Sequence, residues 1–211
     1  MDIEEILNLG TYPIDDSGTP GGQALIDRCR ADLRKNLYCS IPDFVSPQAL
    51  AFMAEEVTGL KAEAYHNHSL RNCYLHQSKD TALPQDHALN LQDRSSVRMI
   101  AYDQLIEASP LKTFYQSKIV QELVAGIVGE GPLYPNIDAY QPANYVYYEN
   151  GDESSWHFDS DNSFTMTLMI QPADHGGIFQ MSANTRSASS ENYQQVRDVL
   201  LGRREDTIVS I

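Results

Sequence analysis

The chain has 211 residues and a formal net charge of −14, a size that fits one domain carrying a helical N-terminal extension. Hydrophobic residues make up 42%, enough for a packed core and too many for wholesale disorder. So negative a surface repels phosphate backbones and anionic headgroups, so neither nucleic acid nor a membrane is an expected partner, while a small zwitterionic or cationic substrate is compatible with it.

No apolar run approaches the ~18 residues needed to cross a bilayer. The start, Met1-Asp2-Ile3-Glu4-Glu5, is acidic where a secretory signal would be basic. A cytoplasmic location is therefore expected. Cys29, Cys39 and Cys73 are odd in number and widely spaced, which suits free thiols better than a disulfide framework or a zinc knuckle.

Residues 1–21 suit a short helix or loop, with a flexible stretch over 15–22. Leu25, Ile26, Cys29, Leu33 and Leu37 follow at helical spacing. Ser46-Pro47 pairs a capping residue with a proline suited to the first helical position, so a helix is expected from there to about Lys61. Residues 65–94 are polar and irregular and suit a long loop with one extended segment, a kind of loop that usually serves a site. A helix is expected over 95–107. A second starts at Ser109-Pro110 and ends near Gly129, with Leu111, Phe114, Tyr115, Ile119, Leu123, Ile127 and Val128 on one stripe.

Beyond Gly131 the pattern becomes strand-like. Residues 143–148 are aromatic and β-branched, Gly151-Asp152 marks a turn with Asp152 and Glu153 facing solvent, and 155–159 are extended. Residues 164–170 read as a central strand covered on both faces. Gly176-Gly177 turns into a strand starting at Ile178. A helix over 189–201 and a strand over 207–211 follow. Helices first and short antiparallel strands after them give an α+β layout, a small β-roll with helices packed on it. It is expected to form a single domain over 1–211, helical over 1–130 and β-roll over 131–211. The roll lacks closing elements, so a missing C-terminal part is expected.

The chemistry concentrates in Trp156-His157-Phe158-Asp159. Successive strand residues face opposite ways, so His157 and Asp159 share a face. An imidazole nitrogen and a carboxylate oxygen side by side can fill two neighbouring corners of an octahedral metal, and a second histidine from a distant strand would complete a two-histidine, one-carboxylate triad. A bare His-x-Asp is a weak signal. The surrounding strands and the Gly-Gly turn strengthen it.

The stretch from Asn144 to Met181 resembles the central part of the non-haem Fe(II), 2-oxoglutarate-dependent oxygenases. It is most similar to the group that hydroxylates or halogenates free amino acids and similar small molecules. The resemblance implies a double-stranded β-helix (a cupin-like jelly roll), Fe(II) held by His157 and Asp159, 2-oxoglutarate and O2 as co-substrates, and oxidation of an unactivated C–H bond. It also implies a hydrogen bond to 2-oxoglutarate from Tyr147 or Asn144. In halogenating relatives a small residue replaces the carboxylate at the position of Asp159, so its presence implies hydroxylation, or another oxidation such as desaturation, rather than chlorination. The family's distal histidine and its 2-oxoglutarate-binding arginine are not found. His175 is the one histidine after the motif and lies too near it, and Arg203 and Arg204 sit at a helix end.

Arg71 and His66, in an aromatic loop segment, are the candidates for gripping a substrate carboxylate, with a solvated loop as the plainer alternative. Arg94 and Arg98 suit ion pairing with nearby acids. The expected partner is a small molecule, an amino acid by resemblance, and self-association into a homodimer is open. Two further readings compete with the hydroxylase. One is a non-catalytic, cupin-like ligand-binding roll. The other is a hydrolase or lyase using His157 as base with Asp159 as its partner, weakened because parallel side chains two apart do not readily orient each other.

Overall fold

Two of the longer helices begin on a capped proline. Thr19 Oγ1 accepts the Gly22 amide at 3.2 Å and Ser46 Oγ accepts the Ala49 amide at 3.2 Å. Pro20 and Pro47, having no amide to leave unpaired, occupy the first helical positions. The computed structural model describes residues 1–14, 18–159, 165–187 and 189–211. Residues 15–17 of the stretch expected to be flexible, and Phe164 of the expected central strand, lie outside the described residues. The chain forms two interleaved units, one of residues 1–64 and 100–145, the other of 65–99 and 146–211.

The first unit is helical: α1 (Ile3–Ile6), α2 (Pro20–Asn36), α3 (Pro47–Leu60), α4 (Pro110–Gln116) and α5 (Lys118–Val128). The helix expected from Pro110 to Gly129 is broken at Ser117, whose extended backbone separates α4 from α5. It ends on Gly129 at φ 76°, the left-handed closing residue that glycine adopts without strain. Ile6, Cys29, Met53 and Leu123 are buried at its centre. Gly126 permits α5 to press against α2, since a Cβ there would stand 2.8 Å from Ile26 Cδ1. Tyr145 and Ser109 both donate to Glu56 Oε2, at 2.8 and 2.7 Å, and burial pushes the Tyr145 phenol well above its ordinary range.

The second unit holds two sheets, each with an antiparallel pair. In one, β1 (Tyr65–Arg71) pairs with β2 (Asp93–Ile100), from Tyr65 opposite Met99 to Arg71 opposite Asp93, and β3 (Tyr145–Tyr147) lies on the other side of β2. The unit boundary cuts β2 after Met99 and β3 before Val146. In the other, β4 (Gln180–Ser182) pairs with β5 (Ile208–Ser210). α6 (Tyr193–Leu200) places Val196 against Cys73 and Ala88.

Two expectations are corrected here. Residues 95–107 are not a helix, because Ser95, Ser96 and Val97 are buried in β2 by pairing with a segment some 30 positions earlier, and that non-local pairing overrides local propensity. Residues 165–170 form no ladder among the described residues, and Met166 and Met169 are 44% and 61% exposed. Their β-branched, apolar composition favours extended backbone, but a strand also requires a neighbour to accept its hydrogen bonds.

The irregular stretch between β1 and β2 is held by two buried asparagines. Asn72 donates to the Leu89 carbonyl at 2.7 Å and accepts the amides of Tyr74 and His76. Asn90 donates to the carbonyls of Asp80, Leu83 and Pro84 and accepts the Asp80 amide. Replacing Asn72 by alanine leaves these groups buried and unpaired. Denaturant titration is expected to show a loss of about 2–4 kcal/mol, and a loss under about 0.5 kcal/mol would contradict this role.

No helix among the described residues is long and apolar enough to cross a membrane.

Candidate functional site

The segment carrying the motif is laid along the second unit by backbone hydrogen bonds. Ser96 and Glu153 exchange a reciprocal pair, at 2.7 and 3.1 Å, and the Phe158 amide donates to the Cys73 carbonyl at 3.0 Å. Trp156 and Phe158 pack on the cluster of Cys73, Ala88 and Val196. The Phe158 ring lies 5.2 Å from that of Tyr74, and the Arg186 guanidinium stands over it at 4.4 Å. Burial of Cys73 in this cluster pushes its thiol up to about 11.

With Trp156 and Phe158 turned inward, His157 and Asp159 share the opposite side. His157 Nε2 stands 3.6 Å from Asp159 Oδ1, and the two side chains are 38% and 60% exposed. The alternation expected from the sequence is present in this segment, although it faces an open surface and not an enclosed interior.

Hydrogen bonds fix which atoms meet. His157 Nδ1 lies 2.9 Å from the Ser155 carbonyl. A carbonyl oxygen only accepts, so Nδ1 carries the proton and the lone pair of the neutral ring sits on Nε2, the atom that faces Asp159. Thr165 Oγ1 donates to Asp159 Oδ2 at 3.0 Å, leaving Oδ1 towards the imidazole. Two acceptors held this close call for a cation or a proton between them. An imidazole nitrogen and a carboxylate oxygen are both ligand types that divalent first-row metals accept. The donor set therefore fits two of three ligand positions. Among the described residues no group of three metal-ligating side chains comes together.

Asp152, expected to face solvent, is instead the most connected side chain near the site. Its carboxylate is 5% exposed. It accepts from Ser96 Oγ at 2.5 Å, from Arg98 Nε at 2.8 Å and from the Glu149 amide at 2.9 Å. The Ser96 hydroxyl, these two further donors and the Arg98 charge hold the carboxyl well below the usual carboxylate range. Arg98 also reaches Glu149 at 3.2 Å, and Arg94 pairs with Glu153 at 3.6 Å. Both arginines thus make the ion pairs their surroundings predicted. Its side-chain partners Ser96 and Arg98 lie more than 50 positions earlier, and a Gly-Asp turn read locally gives no sign of them.

The remaining candidates separate. His66 Nε2 lies 2.8 Å from Ser96 Oγ and 3.3 Å from Asp152 Oδ1. The Ser96 proton goes to the carboxylate, so His66 donates. Its ring lies against that of His68, with centroids 3.7 Å apart and planes tilted by 48°. Arg71 bridges Ser155 and Ser95, Nε to Oγ at 3.4 Å and Nη2 to Oγ at 3.2 Å. Its guanidinium is therefore next to the residue whose carbonyl orients His157. Tyr147 is half-buried on β3, and Asn144 is half-buried in the first unit. His175 is exposed. Arg203 pairs with Asp198 at 3.4 Å and Arg204 with Asp206 at 3.1 Å. A hollow of about 260 Å³ in the second unit is lined by Pro84, Asp86, His87, Tyr193 and Arg197 and includes neither His157 nor Asp159.

Comparison with known proteins gives one family. The profile described as Halogenase D matches residues 22–210, which takes in both units, the motif and all the candidates above. No curated protein and no solved structure matches the chain. With the match spanning nearly its whole length, this chain belongs to the halogenase D family.

Proposed function

We propose that this protein is a cytoplasmic Fe(II)- and 2-oxoglutarate-dependent oxygenase that hydroxylates a free amino acid or a similarly small polar metabolite, on a double-stranded β-helix. The observation that carries the reading is the pairing of His157 Nε2 with Asp159 Oδ1 at 3.6 Å, each with its other polar atom tied off. Fixing Nδ1 as the protonated nitrogen is what a metal-binding imidazole requires, and a hydrogen-bonded ligand carboxylate is its usual companion. When bound, Fe(II) with 2-oxoglutarate and O2 supplies the oxidising power. The chain's own residues hold and orient. His157 and Asp159 would hold the metal, and Tyr147 or Asn144 would donate a hydrogen bond to 2-oxoglutarate. Arg71 grips a substrate carboxylate: its two hydrogen bonds use Nε and Nη2, and a guanidinium has five donors. His66 is the second substrate contact.

The family's name gives a specific reason to weigh halogenation. Asp159 argues against it, because its carboxylate fills the corner that a halide would need. The test is turnover by purified protein with Fe(II), 2-oxoglutarate, O2 and a panel of free amino acids. Succinate release coupled to a product heavier by one oxygen atom is expected. A protein that binds no divalent metal and releases no succinate with any substrate would instead be the cupin-like binding roll.

A further inference from the structure

The turn at 149–152 leads straight into the ligand segment, and it is tied down by an acid that the metal reading leaves without a task. Asp152 joins three pieces of the second unit: its own turn through the Glu149 amide, β2 through Ser96 and Arg98, and β1 through His66. Ser96, in turn, carries both kinds of contact. Its hydroxyl bonds Asp152 and its backbone exchanges two hydrogen bonds with Glu153. Asp152 thus sets which residue of the following segment lies across from Ser96.

That register decides the site. A slip of one residue along an extended segment exchanges its two faces. Here it would turn His157 and Asp159 towards Cys73 and Val196 and bring Trp156 and Phe158 to the surface. The apolar cluster opposes such a slip, but Trp156 and Phe158 are only partly buried in it. The Asp152 anchor is buried, charge-compensated by Arg98 and made of directional bonds.

We infer that Asp152 is a positioning residue for the metal-binding pair, acting through Ser96 and Arg98 to fix the register that puts His157 and Asp159 on one face. The inference rests on the metal reading proposed above.

Asp152→Asn tests it, with Ser96→Ala as a gentler variant should the first fail to fold. Three quantities are measured on unsubstituted and variant protein: amide exchange at Glu153 and Phe158, the 15N signature of the His157 ring, and affinity for Co(II) followed by its visible spectrum. The variants are expected to lose protection at these two amides about tenfold or more while α6 keeps its own. His157 is expected to leave its single tautomer, and Co(II) affinity to fall about tenfold, the lower end of what loss of an outer-shell partner causes. Protection within about twofold of the unsubstituted protein, with the tautomer intact, would overturn the inference. If the unsubstituted protein binds no Co(II), the metal reading falls, and exchange and tautomer still decide whether Asp152 sets the register.

Discussion

Replacing His157 by alanine is expected to lower affinity for Fe(II) or Co(II) by at least about 100-fold, because losing even a residue that only hydrogen-bonds to a metal ligand costs about 10–100-fold. The protein should stay folded. The His157 side chain is 38% exposed and its ring contacts are a backbone carbonyl and Asp159, so truncation opens no cavity and strands no buried charge. Metal binding and stability should therefore separate in one variant: spectroscopic titration with Co(II) shows the loss, and thermal unfolding without metal changes little. Unchanged affinity would mean that His157 and Asp159 form an ordinary surface ion pair. Such pairs contribute about 0–1 kcal/mol and would leave the site without a metal role.

Local signals were legible in the sequence. The caps of α2 and α3 and the glycine ending α5 depend on residues within a turn or two of one another. The His157/Asp159 face was legible for the same reason, since alternation needs only an extended segment with an apolar side to bury. Trp156 and Phe158 supply that side.

What escaped was non-local. Residues 95–100 look helical until β1 arrives to pair with them. Asp152 looks like an ordinary turn acid until Ser96 and Arg98, 56 and 54 positions earlier, close around it. Arg71 stands out in the sequence for its chemistry, but its neighbours Ser95 and Ser155 are not legible from a loop of unknown path. These residues carry the support of the site, and a support is a relation between distant segments, which no window on the sequence contains.

On the proposed reading Asp159 decides the product, and Asp159→Gly is the change that tests it. On the proposed reading the carboxylate of the unsubstituted protein would ligate the metal and bring one negative charge to it, and Thr165 holds its far oxygen at 3.0 Å. A halide would have to displace an anionic ligand that the chain keeps in place, so oxygen transfer is the expected outcome even with chloride present. Glycine removes both the ligand and its charge. Metal affinity should fall about tenfold or more, hydroxylation should fall with it, and the vacated corner becomes open to chloride. His157, tied through Nδ1 to the Ser155 carbonyl, keeps its orientation, so the variant tests the carboxylate and not the whole segment. Product mass with and without chloride, for both proteins, is the measurement. Chlorinated product from the unsubstituted enzyme would refute the role given to Asp159. Oxidation by Asp159→Gly that is undiminished and independent of iron would remove the metal assignment altogether. Reduced hydroxylation without halogenation would leave the ligand role standing and show that a halide also needs a pocket, beyond the vacant corner, to hold it.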